Sequence, residues 1–281
     1  MKRLLHITAV LLIGFTACSP QEQVGKSQLV VEGWIENGEH PIVMVSESIG
    51  IATGRKMDTK SMLDHVAKWA KVSISDGTTT EYLTGIPDPE YFPPYIFTTS
   101  KITGEVGKSY TLKVEYKDYK LEATTVIPEP VPIDRVYVQS ATDSIASLRV
   151  CFTDPPQPGH FYKVFTRTEG KDSHYHPSAL TNISDQSVSG YSEIMVYSTQ
   201  RLMDFIDWPN IRVGDVVWIK LCTTDRITYE YWNNYEITIA SNGLGTFYES
   251  DIESNMDGAL GYWAGYGVDK EVKFTVTKPN E

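Results

Sequence analysis

The residue with the clearest chemistry in this sequence is Cys18, which stands where a bacterial lipoprotein signal peptide would end. Lys2 and Arg3 form a cationic start, residues 4–14 form an apolar run, and residues 15–17 end in small side chains. The apolar run is shorter than the roughly 20 residues that a permanent membrane-spanning helix needs, so we expect its removal. We predict that Cys18 becomes the lipidated N-terminus, the alternative being a plain signal peptide with a chance cysteine.

Two histidines near the middle of the chain have a spacing that metal sites use. His174 and His176 could both point to one side of an extended segment, with His160 or Asp172 completing the ligands. The adjacent Pro177 and the neighbouring serines are more typical of a solvated polar loop. The loop explains the same residues without a metal, and we predict no metal site here.

A second candidate for metal binding is a run of alternating oxygen-bearing side chains. Its members are Asp251, Glu253, Asn255 and Asp257. A calcium loop of the EF-hand type needs a glycine at its sixth position and a glutamate at its twelfth. Gly258 falls beyond the glycine position, and Tyr262 occupies the twelfth. We therefore predict no metal and no cofactor.

The common catalytic motifs are missing from the sequence. It contains no G-x-S-x-G elbow, no H-E-x-x-H zinc helix and no phosphate-binding glycine loop. A glycosidase needs only two opposed carboxylates, and a sequence with 36 acidic residues does not exclude such a pair. We predict that the protein is not an enzyme and has no catalytic residues.

Aromatic residues are the stronger indication of function. The chain has 17 Tyr and 6 Trp against 9 Phe, and Tyr and Trp combine an apolar face with a hydrogen-bonding tip. They cluster in the second half, where we predict binding residues Trp232, Tyr262, Trp263 and Tyr266. The alternative is that these rings are buried in an ordinary core, and we expect this of Trp263 in particular.

The net charge of −11, more negative still after loss of Lys2 and Arg3, excludes nucleic acid as a partner because phosphates would be repelled. It also disfavours adhesion of the protein body to anionic lipid. Membrane attachment is therefore expected through the lipid anchor alone.

Short β-type runs separated by turn residues determine the predicted fold. In the first half they cover residues 29–35, 41–46, 71–75, 79–83, 95–99, 109–116 and 119–127. A second series follows the prolines at 128, 130 and 132, interrupted by one amphipathic helix over residues 225–239 with Asp225 as its N-cap. This pattern predicts a mainly β protein of two antiparallel β-sandwich domains, immunoglobulin-like or transthyretin-like, the second with an inserted helix.

The same pattern divides the chain into five parts. They are a signal peptide (1–17), a lipidated tether (18–26), an N-terminal β-sandwich domain (27–128), a Pro-rich junction (129–134) and a C-terminal β-rich domain (135–281). Cys151 and Cys222 each fall in a predicted strand of the last part. An exported compartment permits a disulfide, but two buried free thiols are the commoner outcome, and the sequence leaves this open.

Several segments together resemble domain-of-unknown-function family 4249. They are residues 254–266, 29–35, 104–110 and 127–132, and the run 154–156 that precedes Tyr162. The resemblance covers nearly the whole mature chain and brings no catalytic residue with it.

The resemblance implies an outer-membrane lipoprotein of anaerobic Gram-negative bacteria, often encoded near a TonB-dependent receptor, with a role in uptake or surface binding. Ser19 is consistent with export to the outer membrane. Only one acidic residue, Glu22, closely follows the cysteine, so the sequence leaves open whether the protein lies on the periplasmic face or on the cell surface. We predict a non-catalytic binding or accessory module. A structural or adhesive envelope protein is the alternative.

Overall fold

The computed structural model describes residues 28–48, 63–91, 93–142, 145–186, 190–196, 210–242 and 254–279. Cys18, the predicted signal peptide and the predicted tether lie outside these residues. So do Asp251 and Glu253 of the candidate calcium run. Across the described part of the chain, no helix has the length and apolar character needed to cross a membrane.

The first half of the chain forms a sandwich of two sheets. One sheet contains, in spatial order, β16 (Leu260–Tyr266), β1 (Leu29–Glu36), β2 (Ile42–Glu47), β6 (Tyr95–Thr98) and β5 (Thr84–Pro87). The other contains β4 (Thr80–Tyr82), β3 (Lys71–Ser75), β7 (Ser109–Tyr116) and β8 (Tyr119–Val126). Leu29, Val31, Ile35, Ile74 and Leu112 meet between these sheets in one apolar core.

A second sandwich follows the prolines. Its smaller sheet contains β14 (Tyr191–Val196), β10 (Ala146–Thr153) and β9 (Ile133–Ala141). Its larger sheet contains β12 (His176–Pro177), β11 (Phe161–Thr168), β15 (Val216–Thr224) and β17 (Val272–Thr275), with β13 (Ile183–Ser184) also paired to β11. Leu148, Phe152, Tyr162, Ile194 and Ile219 belong to the core of this sandwich. The predicted mainly β fold is confirmed.

One helix, α1 (Arg226–Asn242), follows β15. The predicted N-cap holds, because the Asp225 carboxylate accepts a hydrogen bond from the Thr228 N–H at 2.8 Å. The predicted helix starts within one residue of the observed one and ends three residues early. Cys151 in β10 and Cys222 in β15 are both buried free thiols.

Strand β16 links the two sandwiches. Although the sequence assigns it to the region 135–281, it pairs in parallel with β1, from Val30 opposite Leu260 to Glu36 opposite Tyr266. Immediately afterwards, Gly267 forms a β-bridge to Thr223 in the second sandwich. The boundary at the prolines stays a prediction, but the first sheet includes a strand from the end of the chain.

Side-chain amides at both ends of β16 hold it in place. Asn255 donates to the Trp263 carbonyl at 2.8 Å and accepts from the Trp263 N–H at 2.9 Å. Asn37 donates to the Val268 carbonyl at 2.9 Å and accepts from the Val268 N–H at 2.7 Å. These amides satisfy backbone groups that a strand at a sheet edge would leave unpaired. Asn255, a candidate calcium ligand in sequence, thus has a structural role.

Candidate ligand-binding cavity

A cavity of about 1020 Å³ lies between the two sandwiches. Its floor is the outer face of the β16-β1-β2 sheet, and its opposite wall comes from α1, β11 and β15. Two further segments contribute to the lining, namely residues 89–91 with 93–94, and residues 173–177. The cavity therefore exists only where both halves of the chain meet.

Strand alternation determines which residues of β1 reach the cavity. Leu29, Val31 and Ile35 point into the core of the first sandwich, so Glu32 and Trp34 point the other way. On an isolated sandwich this second face would be exposed to water. Here the second half of the chain covers it, so these side chains line a partly enclosed space.

Aromatic rings from α1 and β16 form one end of the cavity. The Tyr231 and Tyr262 ring centroids lie 4.4 Å apart, and the Trp232 ring is 5.7 Å from Tyr262. Tyr235 stacks with Tyr231 at 6.1 Å. The Trp232 indole N–H donates to the Tyr266 hydroxyl at 2.9 Å, which satisfies a buried polar group. This packing fixes the position of α1 on β16.

Three of the four predicted binding residues reach the cavity. Trp232, Tyr262 and Tyr266 line it, while Trp263 faces the opposite side of β16 and is 0 % exposed in the first core. The Trp263 indole N–H donates to the Tyr110 carbonyl at 2.9 Å. The period of two explains the split, since neighbouring residues of a strand point to opposite faces. A binding role for the three cavity residues stays a prediction.

Glu32 lies among these rings with one hydrogen bond, accepted from the Tyr231 hydroxyl at 3.1 Å. Burial raises the pKa of its carboxyl above the usual range, and the Tyr231 bond opposes this only in part. Burial also raises the pKa of the Tyr231 and Tyr262 hydroxyls, with the Glu32 charge contributing to both. This end of the cavity thus disfavours negative charge.

The other charged residues of the cavity are largely paired. Lys220 forms ion pairs with Glu36 at 2.7 Å and with Glu271 at 3.4 Å, and its ammonium lies 4.4 Å from the Tyr175 ring centroid. The Arg167 guanidinium lies 5.4 Å from the Tyr175 ring centroid and at the same distance from that of Trp218. These cations are held by carboxylates and rings already present.

The two candidate metal-ligating histidines lie at the rim of the cavity. The His174 ring stacks on Tyr91 at 4.7 Å and lies 4.3 Å from the His176 ring. Burial lowers the pKa of both imidazoles, that of His176 to about 4. Within the described residues no group of three or more metal-ligating side chains occurs. The segment is a half-buried aromatic stack, less solvated than the predicted loop.

Comparison with family models gives one match, to a domain of unknown function (DUF4249), over residues 16–271. The chain belongs to the DUF4249 family. The match covers the helix and the strands from β1 to β16 and ends just before β17, so every residue that lines the cavity falls within the family region. The search of curated proteins gives no significant match.

Glu32, Trp34 and Tyr91 are cavity residues of this DUF4249 protein that the sequence analysis missed. The segment containing Glu32 and Trp34 was recognised as a strand, but its polar alternate face looked like an ordinary solvent-exposed one. A tryptophan between two glutamates on one face was the available signal, because such a face is neither typically solvated nor typically buried. Tyr91 lies in a proline-rich loop and carried no periodic signal.

Proposed function

We propose that this DUF4249 protein is a lipid-anchored outer-membrane lipoprotein that binds a small ligand in its central cavity and has no catalytic role. The observation that carries the proposal is the cavity of about 1020 Å³ lined by tyrosine and tryptophan rings. Ligand sites are typically concave and mostly apolar, with a few well-placed polar groups. Glu32 and the tyrosine hydroxyls would supply those polar groups.

The chemistry of the lining supports binding more than catalysis. Burial raises the pKa of the Cys222 thiol, and a protonated thiol is a poor nucleophile. Burial likewise raises the pKa of Tyr235 and Tyr266, which keeps their hydroxyls neutral. A thiol or phenol activated as a nucleophile would need a lowered pKa.

Native mass spectrometry can test the binding function. The mature protein would be incubated with a metabolite extract, and a bound small molecule is the expected result. Ile42→Trp, which places an indole on the cavity floor, should abolish retention. Thr124→Trp, on the exposed face of β8, is the matched control and should retain the ligand. Equal retention by both variants would contradict a cavity site.

Anchoring rests on Cys18 and the apolar segment before it. Cys18→Ala should move the protein from the membrane fraction to the soluble fraction, or leave an uncleaved precursor. Mass spectrometry of the mature N-terminus provides the direct measurement. An unmodified terminus at another residue would rule out lipidation at Cys18.

A TonB-dependent uptake receptor is the partner we propose, on the basis of the family resemblance. Co-purification from detergent-solubilised outer membranes should recover such a receptor in a stoichiometric ratio. Recovery of a surface polymer in its place would support the structural or adhesive alternative.

A further inference from the structure

Glu32 differs from Glu36 and Glu271 in its partners, and from the exposed lining residues Glu39 and Glu90 in being half-buried. Among the described residues it forms no ion pair, and its one hydrogen bond comes from the neutral Tyr231 hydroxyl. Glu36 and Glu271, by contrast, both contact Lys220. Glu32 is half-buried, and a carboxylate that loses part of its hydration without gaining a counterion is destabilised, so this position would gain from an incoming cation.

The surroundings of Glu32 are also those that a cation favours. Tyr231 connects Glu32 to two further rings, since its ring is 4.4 Å from Tyr262 and 6.1 Å from Tyr235. Aromatic faces attract ammonium and guanidinium groups, and they do so most strongly where water is excluded. Carboxylate and rings therefore form a single cation-attracting end of the cavity.

The cavity lining as a whole also carries a net negative charge. The described lining residues include five glutamates against two permanent cations, Arg167 and Lys220. Both cations already contact rings or carboxylates. A negatively biased cleft attracts cationic ligands and repels anionic ones.

We propose that Glu32, together with the rings of Tyr231, Tyr235 and Tyr262, binds the positively charged nitrogen of a ligand whose remaining body is apolar or aromatic. The nitrogen is an ammonium or guanidinium group, and the carboxylate oxygen not bonded to Tyr231 accepts its hydrogen bond. The body of the ligand extends along β1 over Trp34 towards Glu36. Glu36 lies four residue steps along the strand from Glu32, about 13 Å. The inference rests on the proposed function, because it uses the same cavity.

Isothermal titration calorimetry with three matched probes tests the inference. 4-Phenylbutylammonium, 4-phenylbutanol and 5-phenylpentanoate share one phenylbutyl body and differ in the charge of the group at its end. We expect the ammonium to bind at least about 10-fold more tightly than the alcohol, and the carboxylate to bind most weakly. Glu32→Gln should remove the preference for the ammonium, while binding of the alcohol persists.

Two further variants keep the test specific. Glu122→Gln makes the same chemical change on the exposed face of β8, away from the cavity, and should leave the preference intact. Tyr235→Leu removes one half-buried ring and should weaken the ammonium more than the alcohol. A thermal transition measured for each variant shows whether it is folded.

The outcomes separate this inference from the proposed function. Equal binding of all three probes by the wild-type protein, lost in Ile42→Trp, would keep the cavity as a binding site and overturn the cation preference. An unchanged preference in Glu32→Gln would overturn the role of Glu32. Absence of binding by every probe at millimolar concentration would overturn the cation site, whereas the binding function itself is decided by native mass spectrometry.

Discussion

Gly261→Ala provides a sharp test of how the two halves of the chain are joined. Gly261 has a φ of +107°, and a Cβ added there would lie 1.9 Å from the Val31 carbonyl oxygen of β1. Side chains rarely adopt this conformation, and no Cβ tolerates that distance from a backbone atom. The substitution must therefore push β16 away from β1.

The expected loss follows from these two effects. A positive φ costs an L-residue roughly 1–2 kcal/mol, and overpacking against a rigid neighbour typically costs about 1–3 kcal/mol more. We expect Gly261→Ala to lower the free energy of unfolding by about 2–5 kcal/mol. The larger Gly261→Val should cost at least as much.

Gly258→Ala is the matched control for this measurement. Gly258 also has a positive φ, +86°, but a Cβ there meets nothing within 4 Å. Its cost should be limited to backbone strain, about 1–2 kcal/mol. Urea unfolding followed by tryptophan fluorescence would compare the two variants. Equal losses in both would refute the close approach of β16 to β1 as the main cause of the destabilisation.

Three other predictions follow from the same contacts. Trp263→Ala should lower the free energy of unfolding by about 3–5 kcal/mol, measured by circular dichroism in urea, because the ring is fully buried and the Tyr110 carbonyl loses its donor. A fragment of residues 27–128 lacks β16 and Trp263, so it should show no cooperative thermal transition, contrary to the independent domain that the sequence predicts. Glu32→Gln should raise the melting temperature near pH 7 and lose that advantage near pH 4. Burial raises the folded carboxyl's pKa above its ordinary 4.5, so stability falls as the pH rises through that window, while below it both states are protonated. A melting temperature unaffected by the substitution at both pH values would contradict this reasoning.

Local features of the sequence were sufficient to predict most elements. The alternation of β1 and the Asp225 N-cap each depend on a few consecutive residues, and both agree with the structure. The turn at Asp76 and Gly77 likewise depends on neighbouring residues alone, since the Asp76 carboxylate accepts hydrogen bonds from the Thr78 and Thr79 N–H groups.

The pairing of β16 could not be predicted in the same way. The structure places the Val31, Val126 and Pro128 carbonyls against Gly261, Gly265 and Gly267, so the backbone that approaches Gly261 is that of β1. The sequence could not identify that neighbour, because β1 lies more than 200 residues earlier and no local pattern records a partner so distant. The cavity was missed for the same reason, as its floor and its opposite wall come from different halves of the chain.

Glu32 shows how a contribution to the stability of the fold can be separated from the proposed contribution to ligand binding. On β16 the two purposes are inseparable, because Trp263 fills the first core while its neighbour Tyr262 lines the cavity. Glu32 contributes nothing comparable to the core, and its burial costs stability at neutral pH. Such a cost in stability agrees with the cation-binding role proposed above, because functional sites commonly trade stability for activity. A Glu32→Gln variant that is more stable but has lost its preference for the ammonium probe would show that trade-off directly.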